Sequence, residues 1–223
     1  MNRKLIVTDD GSHTLKVDGL QEHYHSTFGA INESVHVFIN AGLRRVLQEN
    51  PGELAICEVG FGTGLNALLT LLEKKIKGVD VHYTAIEAYP LEEAIWTKLN
   101  YADISGGEEA KTAFAKLHRC KWNEAKEIVP GFHFKKHNCK LETFTAGRSF
   151  DLVYFDAFGP DVQPELWSEA IFRNIAGMTN TGGILVTYSC KGSVKRALKA
   201  AGFEIEKLPG PKGKREILRG VKF

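Results

Sequence analysis

The sequence predicts a doubly wound α/β fold: a Rossmann-like parallel sheet that ends in a C-terminal antiparallel hairpin and is preceded by a small N-terminal extension. Three observations predict it. Runs such as "LVYFD" and "ILVTY" are apolar without alternation, as strands buried on both faces of a parallel sheet must be. From Glu53 onward such runs alternate with amphipathic stretches. A glycine-rich turn, "EVGFGTGLN", joins the first of these strands to the first helix, where doubly wound sheets receive their ligands.

The 223 residues, 43% of them hydrophobic, are enough for one domain with a substantial core. Residues 1–50 read as an extension packed on a main domain of residues 51–223. "RKLIVTDDGSHTLKVDG" places two β-prone runs around Asp-Asp-Gly-Ser, a hairpin signal, and a helical pattern runs from Val35 to Leu47 before Pro51-Gly52 ends it. In the main domain, "ELAICEV" and "LNALLTLLEKK" open the alternation, "VDVHYTAIEA" and "LEEAIWTKL" continue it, and the long "GEEAKTAFAKLHRCKW" precedes the strand "GFHFKKHN". "FDLVYFDAF", "PELWSEAIFRNIAGM", "GGILVTYSC" and "GSVKRALKAAG" follow. "FEIEKLP" and "REILRGVKF" have no helix between them, so they should form an antiparallel hairpin at the sheet edge.

A net charge of +2 is too balanced to announce nucleic-acid binding, so any basic surface must be local. Cys57, Cys120, Cys139 and Cys190 are scattered, with no CxxC pair and no Cys/His spacing of the kind zinc uses; neither a disulfide framework nor a metal is expected. No stretch approaches the ~18 apolar residues of a membrane span, and the reading is a soluble cytoplasmic protein.

The glycine spacing, Gly60-x-Gly62-x-Gly64, departs from the GxGxxG of dinucleotide folds, and no Gly-Lys-Ser/Thr follows to make a P-loop. Glu58, two residues before the first glycine, would repel a pyrophosphate and suit a cationic ligand or ribose hydroxyls. That points to S-adenosylmethionine, with Phe61 and Asn66 flanking the same loop. Glu87 ends the second strand, where such folds place a carboxylate that accepts hydrogen bonds from the ribose diol. For the adenine, Asn138 and Glu142 in "KKHNCKLET" are both in position.

The second motif is "FDLVYFDAFGPDVQPELW". Asp156 ends another buried strand beside the same crevice. A primary amine is mostly protonated at neutral pH and lacks a lone pair, so an N-methylating site needs a carboxylate to take up its proton and apolar walls to exclude water. Asp156 is the candidate for that role. Phe158, Pro160 and Tyr188 are candidates to line the substrate side, and Trp167 sits in a pattern that equally suits core packing.

"DGLQEHYHSTFGAINESVHVFI", "EVGFGTGLN", "YFDAFGPDVQPELW", "GGILVTYSCKGSVKRAL" and "GPKGKREILRG" together resemble the MnmC-type tRNA methyltransferase domain, in order and over nearly the whole chain. The resemblance implies a class I S-adenosylmethionine-dependent methyltransferase that converts 5-aminomethyl-2-thiouridine at the tRNA wobble position to its methylaminomethyl form. It implies that Glu58 and the three glycines form the cofactor loop, that Glu87 is the ribose carboxylate and that Asp156 is the acid of a DxFxP element. Some members are fused to a flavin-dependent oxidoreductase. No second glycine fingerprint is present here, so the expectation is a stand-alone form that uses no flavin and needs an aminomethyl substrate made elsewhere. A tRNA partner calls for local phosphate contacts, and Lys207, Lys212, Lys214, Arg215 and Arg219 of the terminal hairpin, with Lys191, Lys195 and Arg196, are the best cluster. "EHYHSTFGA", from His23 to Phe28, would close over the site. The alternative acceptor is a small-molecule or protein amine; the oligomeric state is left open.

Overall fold

A computed structural model describes residues 3–20, 22–73, 76 and 78–223. Met1, Asn2 and Gln21 of the predicted extension, and Lys74 and Lys75 at the end of the helix predicted over "LNALLTLLEKK", lie outside the described residues.

The N-terminal hairpin forms as expected. Strands β1 (Arg3–Val7) and β2 (His13–Val17) pair antiparallel with Val7 opposite His13. Asp10 holds the turn by accepting from Thr8 Oγ1 at 2.8 Å and from the Ser12 amide at 3.0 Å. A two-residue strand, β3 (Glu22–His23), adds to β2 and was not foreseen.

The helical segment that follows is longer than its periodicity predicts and differs in kind. It begins as α1 (Ala30–Ser34), runs through a π-helical stretch (Val35–Leu43), continues as α2 (Arg44–Val46) and stops at Asn50, whose φ of 48° is left-handed. Val37, Phe38 and Ile39, then Ala41, Gly42 and Leu43, are all buried. Two runs of three consecutive buried residues exceed the stripe an α-helix presents, and the wider i→i+5 turn accommodates them. Gly42 lies directly on the sheet: a methyl group there would stand 2.9 Å from Val186 Cγ2 and 3.3 Å from Tyr154 Cε1.

The main sheet has eight strands: β4 (Glu53–Val59), β5 (Asp80–Glu87), β6 (Ala125–Val129), β7 (Phe132–Asn138), β8 (Phe150–Phe155), β9 (Thr179–Thr187), β10 (Phe203–Pro209) and β11 (Glu216–Lys222). Their order is β10-β11-β9-β8-β4-β5-β7-β6. Strands β7, β5, β4, β8 and β9 pair in parallel, and the chain leaves β4 towards β5 on one side while β8 lies on the other. That divide is the switch point of the sheet, where crevices open. The predicted terminal hairpin is present, with β11 inserted beside β9 so that β10 forms the edge. Strand β6 pairs antiparallel with β7 and escaped the sequence reading because "AKEIV" exposes its first three residues.

Each face of the sheet carries its own core. On one, Ile56, Tyr83, Leu152, Tyr154 and Val186 pack with Val37, Phe38 and Leu43 of the N-terminal segment. The same cluster takes in Leu68 of α3 (Leu65–Leu72), Trp96 of α4 (Glu93–Trp96), Tyr101 of α5 (Tyr101–Ser105) and Phe114 of α6 (Gly107–Arg119). On the other, Val59, Val153, Phe155 and Leu185 meet Phe172 of α7 (Glu169–Gly177) and Leu198 of α8 (Gly192–Ala200).

The tip of the β10–β11 hairpin reaches back to the N-terminal segment. Lys212 Nζ pairs with Asp9 at 2.9 Å, Lys214 Nζ with Glu33 at 2.5 Å, and Gly213 sits so close to the Phe28 ring that a Cβ would collide with it. Among the described residues no helix is long and apolar enough to cross a membrane.

The closeness of Gly42 to the sheet sets a stability test. Gly42→Val should lower unfolding free energy by about 2 kcal/mol through overpacking, despite the poor helix propensity of glycine. Urea denaturation reads it as a lower midpoint at unchanged slope; an unchanged midpoint would mean that the helix sits off the sheet.

Candidate active site

A cavity of about 450 Å³ opens beyond the carboxyl ends of β4, β5 and β8, in the size range of small-ligand sites. Its floor is the glycine loop. Gly60 has φ 89°, and a Cβ there would lie 2.6 Å from the carbonyl oxygen of Asp156, so any side chain would push the two strand ends apart. The Gly60 and Phe61 amides both donate to the Ile86 carbonyl, at 3.0 and 3.2 Å, which ties the loop to β5. Gly64 serves packing instead: with φ 75° it starts α3 against His118 and Phe61 and does not line the cavity. Phe61 does line the cavity, while its ring packs on His118, Trp122 and Phe134.

Glu87 lines the cavity at the end of β5. Its two oxygens accept from the Gly62 amide at 2.8 Å and the Tyr89 amide at 2.7 Å. A carboxylate oxygen accepts more than one hydrogen bond, so this group is fixed in place with capacity left for two hydroxyls. The donor set therefore fits a ribose diol. Asn138 is off the wall. Its Nδ2 donates to the Glu87 carbonyl at 3.1 Å, and Glu142 is exposed on a short 3-10 turn; Cys139 and Leu141 line the cavity there in their place.

The structure revises the reasoning about Glu58. Charge complementarity to a cationic ligand needs an ionised group facing the cavity, yet Glu58 is fully buried beneath the loop and does not line it. Neither carboxyl oxygen has a hydrogen-bond partner among the described residues. Tyr83 and Asn66 lie beside it, outside bonding geometry. Burial, reinforced by the nearby Asp156 charge, holds its pKa well above the carboxylate range, so it is a neutral acid.

Asp156 and Asn66 form the chemical centre. Asn66 Nδ2 donates to Asp156 Oδ2 at 2.8 Å, which leaves Oδ1 for a ligand. Burial pushes the Asp156 pKa up to about 7, with the Asn66 bond and Lys214 opposing the rise and Glu33 adding to it. A carboxyl group poised there exchanges a proton near neutrality.

Phe158 and Tyr188 line the side of the cavity facing away from Glu87. Tyr24 packs edge-on to Phe158 at 5.1 Å, and the Tyr188 hydroxyl donates to the Ala157 carbonyl at 2.9 Å. Lys214 reaches this wall with Nζ 4.0 Å from the centre of the Tyr188 ring. Trp167 is a core residue whose Nε1 fastens the Phe158 carbonyl at 2.7 Å. Pro160 and Arg215 are not among the lining residues.

Sequence reasoning missed Glu33, Arg3 and Leu141 among the lining residues. Glu33 accepts from the Ser26 amide at 2.8 Å while pairing with Lys214. No local signal marks it, since it looks like an ordinary helix glutamate. In the "EHYHSTFGA" segment, His23 to Thr27 line the cavity and Phe28 does not. His25 Nε2 meets Thr63 Oγ1 at 2.7 Å, and burial lowers its pKa to about 4, so it is neutral.

The basic cluster is largely paired. Lys191 meets Asp161, Lys207 meets Glu216 at 3.6 Å, and Arg219 meets Glu206 at 2.5 Å, in addition to the two lysine pairs at the hairpin tip. Arg196 and Arg215 are exposed and take part in none of these pairs.

Two expectations follow for the buried acids. Glu58→Gln preserves shape and neutrality, so thermal stability and cofactor affinity should stay within about threefold of wild type, a difference below about 1 kcal/mol; a large loss measured by calorimetry would show that the charge is needed. Asp156 has a folded pKa above its unfolded value, so the native state binds the extra proton between about pH 4 and pH 7. That stability is complete below the unfolded pKa and is lost as pH rises through 7. Asp156→Asn should therefore gain stability relative to wild type from pH 5 to pH 8, and melting temperatures that shift in parallel would refute this.

Residues 133–223 match a protein-family profile described as S-adenosyl-L-methionine-dependent methyltransferase. The chain is 31% identical over 230 residues to the tRNA 5-methylaminomethyl-2-thiouridine biosynthesis bifunctional protein MnmC of Magnetococcus marinus, covering 96% of this chain and 33% of that protein. It is 32% identical to the Burkholderia multivorans protein of the same name, covering 97% and 34%. The chain thus spans about a third of the length of the curated relatives it matches. Among solved structures, MNMC2 from Aquifex aeolicus superposes with a TM-score of 0.79 at 25% identity, over 99% of this chain and 70% of that one. The sugar N-methyltransferase KedS8 from Streptoalloteichus shares the fold, with a TM-score of 0.51 at 17% identity over 86% of this chain and 87% of that one. The chain is therefore similar along nearly its whole length to the MnmC-type domain, and its residues 133–223 match the S-adenosyl-L-methionine-dependent methyltransferases.

Proposed function

We propose that the protein methylates the exocyclic amine of a 5-aminomethyl-uridine at the wobble position of tRNA, in the cytoplasm. One observation supports this reading above the rest: Asp156 stands between the cofactor half of the cavity and an aromatic wall, with a pKa of about 7 and one oxygen uncommitted. The MnmC relatives are named for biosynthesis of a methylaminomethyl-thiouridine, a product that such a centre would make.

Bound S-adenosylmethionine supplies an electrophilic methyl group on a sulfonium. Glu87, held by two backbone amides, takes the ribose hydroxyls, and the glycine loop gives the ligand close access to backbone. On the acceptor side, Phe158 and Tyr188 offer ring faces or edges to a pyrimidine drawn out of its stack. Asp156 Oδ1 accepts a proton from the substrate ammonium, which exposes the nitrogen lone pair for methyl transfer. Asn66 keeps Oδ2 occupied and so fixes which oxygen does this. Closure of the cavity by Tyr24 and the hairpin tip keeps water from the amine. Arg196 and Arg215 are the proposed phosphate contacts, because neither has to give up one of the acidic partners that hold the neighbouring lysines.

The decisive experiment incubates the protein with labelled S-adenosylmethionine and tRNA from cells blocked after aminomethyl formation, followed by nucleoside analysis. Labelled methylaminomethyl nucleoside is expected; transfer to small amines with none to tRNA would move the acceptor to that class. The pH profile of kcat/KM should rise through about pH 7. Asp156→Asn should lower the rate by about 10²- to 10⁴-fold while cofactor binding persists. Arg215→Ala should reduce the salt-dependence slope of tRNA binding by about 1.

A further inference from the structure

At the end of the sheet opposite the cavity, three side chains converge that neither the proposed reaction nor the family assigns. Asp80 is the first residue of β5, His82 lies two residues on and so on the same face, and His133 is the direct cross-strand partner of His82 on the parallel strand β7. Strand register alone therefore brings them together. The two imidazole rings stack at 4.9 Å with an interplanar angle of 21°. Both Nε2 atoms turn to the same carboxylate: His133 Nε2 is 3.0 Å from Asp80 Oδ1, and His82 Nε2 is 3.4 Å from Asp80 Oδ2. One donor atom from each of the three lies within 4.8 Å of the others.

We infer that Asp80, His82 and His133 form a binding site for one first-row divalent cation such as Zn²⁺. Tetrahedral coordination with bonds of about 2.0–2.1 Å separates neighbouring donors by roughly 3.3 Å, which the two nitrogen–oxygen separations already approach. Two imidazoles and one carboxylate select zinc, nickel or cobalt over magnesium or calcium, which prefer all-oxygen sites. Glu53, the strand neighbour of Asp80 on β4, stands 3.7 Å from His82 Nε2 but is engaged by Arg148, so the fourth position falls to water. The three side chains are partly exposed, so an ion enters without opening the fold. Glu87 lies seven residues further along β5, roughly 23 Å away at the rise of a strand, so the ion fastens β5 to β7 and takes no part in methyl transfer. Spacing rules for zinc in sequence find neighbouring ligands; here the second histidine arrives from another strand, which is why the sequence shows no motif.

Isothermal titration of the chain with ZnCl₂, and separately with MgCl₂, tests this, alongside His82→Ala, His133→Ala and Asp80→Asn. The expected result is one zinc per wild-type chain, no heat with magnesium, and affinity weakened at least about 100-fold in each histidine variant. Zinc should raise the melting temperature of wild type and leave that of His133→Ala unchanged, provided both proteins give the same circular dichroism before addition. No zinc binding by wild type, or equal binding by wild type and the histidine variants, would overturn the site. Methyl transfer by His133→Ala should match wild type, so the outcome is independent of the proposed activity.

Discussion

Everything at the site depends on the contact between the Gly60 backbone and the Asp156 carbonyl. Two strands that carry the two halves of the chemistry end within van der Waals distance of each other, and only a residue without a Cβ permits it. The same loop residue donates to Ile86, so β4, β5 and β8 are joined at one point. Glu87 and Asp156 acquire their positions from that junction. The cavity places Glu87 and Asp156 on either side of that junction, as the proposed reading of a nucleoside on one side and an amine on the other requires.

Beneath the junction the protein buries acid next to acid. Burial raises the pKa of both Glu58 and Asp156, and at Asp156 the hydrogen bond from Asn66 opposes the rise. Glu58 relieves its desolvation by remaining protonated, while Asp156 stays near the midpoint of its titration. A second ionised carboxylate at position 58 would raise the Asp156 pKa further and take it out of range. Neutral Glu58 is therefore part of what tunes the reactive group, with no contact to the ligand.

The parallel strands, the glycine turn, the terminal hairpin and the placement of Glu87 and Asp156 at strand ends beside the cavity were legible in the sequence because each is written locally: an apolar run, a glycine triplet, an acid at a strand end. What was not legible depends on the third dimension. The charge state of Glu58 follows from what packs around it. Asn138 was read as a base contact because it ends a strand, whereas its side chain turns back onto the backbone of β5. Glu33 reaches the cavity only because the helical segment crosses the sheet, and the π-helical widening at Val35–Leu43 has no counterpart in the hydrophobic pattern. The lysines of the hairpin read as phosphate ligands in sequence; the acidic partners of Lys212 and Lys214 come from segments about two hundred residues away.

Those long-range pairs also set an order of assembly during synthesis. The loop, Glu87 and Asp156 all emerge from the ribosome before the hairpin, so that part of the cavity wall is built from earlier chain. The acceptor wall waits for Lys212 and Lys214 to reach Asp9 and Glu33, across separations of 203 and 181 residues. Until those last residues arrive, Asp9 and Glu33 lack their lysine partners, while His13, Tyr24 and His25 already hold the N-terminal segment against Asn100, Phe158 and Thr63.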